Sequence, residues 1–436
     1  MIEAGPIWGL IAFGSITLLC LLSLPIAASM GVVGVTFLWL FYGDFRGIFL
    51  AGMKSFSIVK SYSLSMIPLF VLMGTLIGEA GLGRNAYDCF YKWLGKIRGG
   101  LAVTATFTSA LFGCITGSVT ATIGTIGGIS SPEMKRRGYS PELRLGSIAV
   151  AGILANLIPP SLIAILYCTI VETSVGKVFI AGLIPGIILT ILFSITVRIW
   201  VAIRPSIAPI ATEDVTLKDK VKSLRGPLPI IIIFLFMIGG IFSGWFSPTE
   251  AAGIGVAYAL AMTLIMKRLT WERFRNAGFE TVRITTFVMV IIMGSLLFGN
   301  MIAVTRLPQY VAEVMARLEL PPQLLLFSII GFFIVLGCVL DGLSIMVLFT
   351  PLFYPTILEL GFSPIWYGTL TVMLVDIAGI TPPVAGNIYV TQSLDPEATT
   401  IQVVRGVLPF YAASLLLVVL LVFLPQIATW LPNAMY

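Results

Sequence analysis

The sequence predicts an all-α polytopic membrane protein of two inverted-topology repeats, each with five spans (one broken) and one re-entrant hairpin. Three observations predict it. Of 436 residues, 58% are hydrophobic and 11% charged, with a mean hydropathy of +1.03, whereas soluble domains carry about 25% charged residues. Adjacent prolines interrupt two long apolar runs, Pro159-Pro160 and Pro382-Pro383, and 382 minus 159 is 223. Other short motifs recur along the chain at nearly that offset, the signature of a duplication.

Composition also excludes function classes. The chain has no histidine, which removes His-based zinc sites, Ser-His triads and His proton relays. Its five cysteines, Cys20, Cys89, Cys114, Cys168 and Cys338, have no paired metal spacing and suggest no disulfide framework. Glu3 and the lack of a basic cluster before the first apolar run argue against a signal peptide. The net charge of +6 is a matter of membrane topology, so no nucleic-acid partner is expected.

In order, apolar spans are expected at 7–23, 25–42, 64–83, 142–173 (broken) and 178–202. These make the first repeat, 1–203. A polar linker, 204–226, carries Glu213-Asp214 and Lys218-Asp219-Lys220. The second repeat, 227–436, has spans at 228–245, 249–266, 284–303, 365–391 (broken) and 407–431. The segments 100–137 and 323–360 each hold two apolar arms of about half a span meeting at small polar residues. They read as re-entrant hairpins, whose tips lipid could not satisfy; a pair of full spans is the alternative. Basic residues beside aromatic and aliphatic ones mark Arg84 to Arg98 and Arg306 to Leu320 as interfacial helices, either arms to a moving part or caps on span ends.

The halves match piece by piece: Pro25 with Pro248, Met73-Gly74 with Met293-Gly294, Gly113-Cys114 with Gly337-Cys338, Gly138-Tyr139-Ser140-Pro141 with Gly361-Phe362-Ser363-Pro364, and Pro185 with Pro409. Five crossings is an odd number, so the second half must be inverted. With both termini in the periplasm, 20 of the 26 Lys and Arg residues fall inside and six outside, as the positive-inside rule demands.

A proline pair removes backbone donors, clashes with the preceding turn and stops the helix. The first broken helix should therefore stop near Ala155 and restart near Ser161. In a membrane, freed carbonyls are tolerated only where protein or a wet cavity satisfies them. Two such breaks at matching positions are the best sequence pointer to a transporter binding site. The C-terminal end of each first half-helix suits a sodium ion and the N-terminal end of each second half a carboxylate. The candidate ion-binding residues are Thr116, Gly117 and Ser118 at the first tip and Ala155, Asn156 and Pro159 at the first break. Asp341 and Gly342 at the second tip, with Gly379, Thr381 and Pro382 at the second break, complete that set. The candidate substrate-binding residues are Ser118, Thr120, Pro160, Ser161, Ser344, Asp376, Pro383 and Asn387. A carboxylate within the membrane core is a functional candidate by default, although Asp341 and Asp376 could also serve as structural partners of an amide or Arg. Thr116, Ser118, Thr120 and Thr122 could instead bond their own i−4 carbonyls. Glu79, Glu172 and Glu250 lie at span ends and read as interfacial.

At these tips and breaks the sequence resembles the large membrane subunit of tripartite ATP-independent periplasmic (TRAP) transporters. The resemblance rests on Leu157-Ile158-Pro159-Pro160-Ser161, Val171-Glu172-Thr173-Ser174-Val175-Gly176-Lys177, Ala181-Gly182-Leu183-Ile184-Pro185-Gly186, Ser247-Pro248-Thr249-Glu250-Ala251-Ala252, Leu340-Asp341 and Thr381-Pro382-Pro383-Val384. It implies a sodium-coupled, elevator-type importer of organic acids in the bacterial inner membrane, with Na+ as coupling ion and no other cofactor. It also implies a soluble periplasmic substrate-binding protein and a small four-helix membrane subunit, for which the linker has no room. Asn156 stands where such proteins usually have glycine, and Asp376 near a usual asparagine; both departures bear on ion stoichiometry and substrate class. A self-sufficient sodium–carboxylate symporter and an intramembrane enzyme are the competing functions, the latter opposed by the lack of histidine and of any Gly-x-Gly-Asp or His-Glu-x-x-His motif.

The orientation is open to direct measurement. Lys218→Cys and Lys135→Cys should react with an impermeant thiol reagent only from the cytoplasm, and Pro432→Cys only from the periplasm. The reverse pattern of labelling defeats the topology.

Overall fold

Every regular element in the described residues is a helix. The computed structural model describes residues 5–43, 45–209, 215–383 and 385–435; Glu3, Glu213, Asp214 and Val384 lie outside them. Helices α1 (Pro6–Leu21) and α2 (Ile26–Tyr42) have 16 and 17 residues and divide at Pro25, which N-caps α2. Helix α3 (Arg46–Val59) was hidden to apolar-run reading because it is amphipathic, with Phe49, Met53 and Phe56 exposed. Then follow α4 (Met66–Glu79) and α5 (Leu82–Leu94), the latter falling where an interfacial helix is expected.

Helix α6 (Gly100–Thr116) ends at Gly117, whose φ of 55° is left-handed and suits a residue without a Cβ. The chain reverses there. Ser118 Oγ accepts a hydrogen bond of 3.4 Å from Ala121 N and starts α7 (Val119–Thr122), which runs through a wider turn over Ile123–Gly127 into α8 (Gly128–Arg136). Helix α9 (Pro141–Leu157) begins on the Ser140 cap with Pro141 in its first turn, where proline costs no hydrogen bond. The proline pair separates it from α10 (Leu162–Val171), and the two are bent by 45°. At 10 residues, α10 spans about 15 Å, a little less than expected, because Glu172 turns left-handed at its end. Helix α11 (Val175–Ile203) closes the half.

In the linker, α12 (Leu217–Ser223) packs on α5, with Trp93 Nε1 donating to the Lys220 carbonyl at 3.2 Å. The second half continues with α13 (Leu228–Phe242) and α14 (Pro248–Ile265), whose start is a capping box between Ser247 and Glu250. That gives Glu250 a local structural role. Helix α15 (Trp271–Thr305) is one uninterrupted 35-residue helix, not a span confined to 284–303. No proline lies between Trp271 and Thr305 to stop it, whereas a break at Lys60–Ser61 separates α3 from the turn leading into α4. Next come α16 (Leu307–Arg317), α17 (Pro322–Gly337), α18 (Gly342–Glu359), α19 (Pro364–Ile380) and α20 (Gly386–Gln392). The expected last span, 407–431, is divided instead into α21 (Thr400–Phe423) and α22 (Gln426–Asn433), parted at Pro425.

The segments 100–137 and 323–360 each fold as helical arms that turn back at Gly117 and before Gly342, but the arms exceed half a span. Helices α6, α17 and α18 have 17, 16 and 18 residues, or about 24–27 Å at 1.5 Å per residue. Small residues such as Gly113 and Cys114 continue the helix rather than stopping it. The repeated motifs occupy matching places. Gly138 and Gly361 are both left-handed, with φ of 75° and 78°, just before α9 and α19; Pro185 and Pro409 both lie inside helices. A Cβ on Gly113 would fall 2.6 Å from Ala155 Cα, and one on Gly337 3.1 Å from Ala378 Cα. Each hairpin thus packs its first arm on the broken helix of its own half. The breaks also interlock, α9 touching α20 while α10 touches α19.

Two packing groups result. Helices α2, α4, α14 and α15 form one group and α6, α9, α11, α19 and α21 surround the breaks, with α4 on α6 and α15 on α10 and α18 where the groups meet. A buried charge pair ties the second group across the halves: Arg144, 2% exposed, bonds Asp395, 5% exposed. Lys135 reaches Asp395 at 3.0 Å and Glu397 at 2.6 Å. Burial opposes ionisation of Asp395, but hydrogen bonds from Arg144 and Lys135 prevail and hold its carboxyl below the usual range. A carboxylate depressed on folding stabilises the protein above its unfolded pKa and loses that effect as pH falls through the folded one. Removing one partner of a buried pair costs about 3–5 kcal/mol. Asp395→Asn should therefore lower the detergent-solubilised Tm at neutral pH, with a gap from wild type that narrows on acidification through the carboxylate range. A constant gap rejects the pair as the cause.

Candidate functional site

The expected tips and breaks meet at one cavity of about 580 Å³. Gly117, Ser118 and Thr120 come to it from the first tip, and Asn156 from the end of α9. Asp341 and Gly342 come from the second tip; Asp376, Gly379 and Asn387 come from around the second break. Thr116 lines an adjoining cavity of about 300 Å³ with Thr75, Glu79, Thr125 and Asn276. Pro159 and Ser161 border a void of about 10 Å³ behind the first break, with Gly182 and Val372. Ala155, Pro160, Ser344, Thr381, Pro382 and Pro383 line none of these three. The first tip nevertheless sits on Pro160, since a Cβ on Gly117 would lie 2.5 Å from the Pro160 carbonyl oxygen.

Several candidates are committed to the backbone. Ser161 Oγ accepts from Ala164 N at 3.1 Å and caps α10. Asp341 caps α18, accepting from Ser344 N at 3.1 Å through Oδ2 and from Ser344 Oγ through Oδ1. Thr381 donates to its own i−4 carbonyl, Ile377, at 2.7 Å. Thr116 donates to Phe112 O at 3.4 Å and bonds Thr122 Oγ1 at 3.1 Å. Thr120 remains exposed.

Asn156 and Asp376, the two positions expected to depart from the family pattern, are hydrogen-bond partners. Asn156 Nδ2 donates to Asp376 Oδ1 at 2.7 Å, a bond between residues 220 positions apart that joins one broken helix to the other. Residues Thr75, Glu280, Arg283, Ile284, Phe287, Val288 and Ile291 form the facing wall and were missed from the sequence. Arg283 Nη1 lies 3.9 Å from Glu280 Oε2, so this wall brings a cation to the cavity. A signal existed: positions 280, 284, 287 and 291 recur at helical spacing, but the polar stretch before 284 reads as a loop when apolar runs alone are sought.

Because Asp341 serves as a cap, its two substitutions should part company. Asp341→Ala forfeits the cap, worth about 1 kcal/mol, and should lower Tm; Asp341→Asn keeps a capping oxygen and should not. Equal Tm values for the two variants, measured by thermal unfolding in detergent, reject the capping role.

The chain matches known proteins over nearly its whole length. A family model described as the tripartite ATP-independent periplasmic transporter, DctM component, matches residues 13–427. The C4-dicarboxylate TRAP transporter large permease protein DctM of Pseudomonas aeruginosa is 32% identical over 408 residues, covering 93% of this chain and 94% of that one. The sialic acid TRAP transporter large permease protein SiaM of Vibrio cholerae is 29% identical, over 94% of this chain and 95% of its own. The isethionate TRAP transporter permease protein DctMQ of Oleidesulfovibrio alaskensis is 27% identical, over 96% of this chain and 65% of its own. Among solved structures, the YdaH transporter of Alcanivorax borkumensis aligns with a TM-score of 0.55 at 15% identity, covering 87% of this chain and 90% of that one. MtrF of Neisseria gonorrhoeae aligns at 0.53 and 15%, covering 86% and 84%; these two likenesses concern the fold alone. With its helices broken at both proline pairs and a family match spanning residues 13–427, this chain belongs to the DctM component family of TRAP transporters, as a large permease subunit.

Proposed function

We propose that this chain carries a small organic acid into the bacterial cytoplasm by sodium-coupled secondary transport across the inner membrane. The acid is received from a soluble periplasmic binding protein, and the chain works beside a small four-helix membrane subunit. One observation carries this reading: a single cavity collects both hairpin tips and residues flanking both proline breaks from the two halves. Such ends offer carbonyls to a cation and amide donors to an anion within an apolar protein. The relatives are named for C4-dicarboxylates, sialic acid and isethionate, all of them acids. Arg283 adds a positive group to the same lining.

The packing supports an elevator movement. The tips and breaks belong to one group of helices, and α15, on the other side of the cavity, belongs to the other. Sliding the first group along α15 would carry the site across the membrane while its internal contacts persist. We place both termini in the periplasm and the two hairpins as re-entrant from opposite faces. Membership of a transporter-permease family removes the intramembrane enzyme from consideration.

The test is uptake in proteoliposomes. With the binding protein and small subunit present, a sodium gradient should drive accumulation of the acid; uptake by this chain alone would favour the self-sufficient symporter. Replacing Pro159 and Pro160 by alanine restores two donors and lets a continuous helix close its own carbonyls. That variant, and the one carrying Pro382→Ala with Pro383→Ala, should insert and assemble normally yet lose transport. Asp341→Asn should weaken sodium activation. Wild-type rates in both proline variants reject the breaks as the site.

A further inference from the structure

One carboxylate oxygen at the cavity lining has no partner among the described residues. Asp376 lies on α19, four residues before its end, and is 2% exposed. Its Oδ1 accepts from Asn156 Nδ2 at 2.7 Å, while its Oδ2 has no hydrogen-bond partner among the described residues. The other acidic groups of the cavity differ. Both oxygens of Asp341 are engaged by Ser344, and Glu280 lies 3.9 Å from Arg283 on a solvent-facing stretch of α15. No Lys or Arg among the described residues lies within ion-pair distance of Asp376. An ionised carboxylate enclosed in this way, with a single neutral donor, is strongly disfavoured unless a cation accompanies it.

We propose that Asp376 and Asn156 form a sodium site of their own, distinct from one centred on Asp341. Asp376 Oδ2 supplies the charged ligand. The Asn156 side chain fixes the carboxylate through its amide nitrogen and turns its own amide oxygen toward the same ion, hard oxygen donors being what a small alkali cation prefers. The two ligands come from different halves, Asn156 two residues before the first proline-broken turn and Asp376 from the second broken helix. An ion there neutralises the buried charge and holds the two breaks in register. This inference rests on the cation-coupled reading of the cavity, but its test does not require transport.

The purified chain with its small subunit is equilibrated with radioactive sodium in detergent, with no acid present, and bound ion per chain is counted by dialysis. Asp376→Asn, which removes the charge and keeps an oxygen for the Asn156 bond, should bind one sodium fewer than wild type. Asp341→Asn should leave that ion in place. Equal sodium counts in wild type and Asp376→Asn overturn the proposal. Should Asp376→Asn fail to fold, the wild-type protein decides the matter. A hydrophobic carbodiimide modifies enclosed carboxyls, and mass spectrometry of the peptide holding Asp376 reads the adduct. Sodium, but not choline at equal ionic strength, should protect Asp376, and an adduct yield indifferent to sodium overturns the site. A protein that binds this ion but shows no sodium-driven uptake would instead count against the proposed function and leave the site standing.

Discussion

A polypeptide surrounded by apolar material cannot leave its peptide groups unpaired, since each one costs several kcal/mol. Most of this chain obeys by remaining helical. At Pro159-Pro160 and Pro382-Pro383 obedience is withdrawn, and the groups released there must find company elsewhere. Much of the architecture follows. The first tip comes to its break, Gly117 against Pro160, and the second packs on α19 ahead of its break, Gly342 against Val375. The helix starts are closed by Ser118, Ser161 and Asp341 acting as caps. The residues flanking both breaks then meet at the cavity between the tips, the site proposed for ion and acid.

Close approach of backbones makes that concentration possible. Gly113 and Gly337 let each hairpin arm lie directly on Ala155 and Ala378, and Gly146 meets Gly406 where α9 crosses α21. Small residues at such contacts suit helices that gain nothing from hydrophobic exclusion against lipid and rely on packing instead. The same contacts make the group around the breaks a coherent body. Polar ties then cross between the halves, with Arg144 on Asp395 near one end and Asn156 on Asp376 beside the cavity. Each is costly to break, because the alternative is a buried group without a partner. The proposed movement past α15 would leave the internal contacts of such a unit intact.

The contact of Asn156 with Asp376 also explains two residues that look like separate anomalies in the sequence. A carboxylate introduced into the second broken helix needs a donor, and the asparagine beside the first break supplies it at 2.7 Å. Either residue without the other would leave a further buried polar atom unmatched. The pair therefore reads as a single feature, with Oδ2 of Asp376 as its unfinished valence.

Composition and spacing alone determine the membrane character, the helix breaks at both proline pairs and the pairs of helical arms in 100–137 and 323–360, and they point to most of the tip residues that line the cavity. Those are local or periodic properties: proline acts on its own turn, apolar runs measure the bilayer, and a repeat needs only an offset. Tertiary structure alone decides which candidate polar groups are spent. Ser161, Ser344, Thr381 and Asp341 look available in one dimension and are committed to neighbouring backbone or side-chain groups in three. It also decides that α3 is helical, that α15 runs unbroken from Trp271, and that Arg283 and Phe287 form the far wall of the site. Amphipathic and polar helices carry little weight in an apolar-run reading, and their facing surface is set by packing against distant helices. The bond from Asn156 to Asp376 spans 220 positions. No local rule links two such residues; only the folding of one half against the other brings them within hydrogen-bond reach.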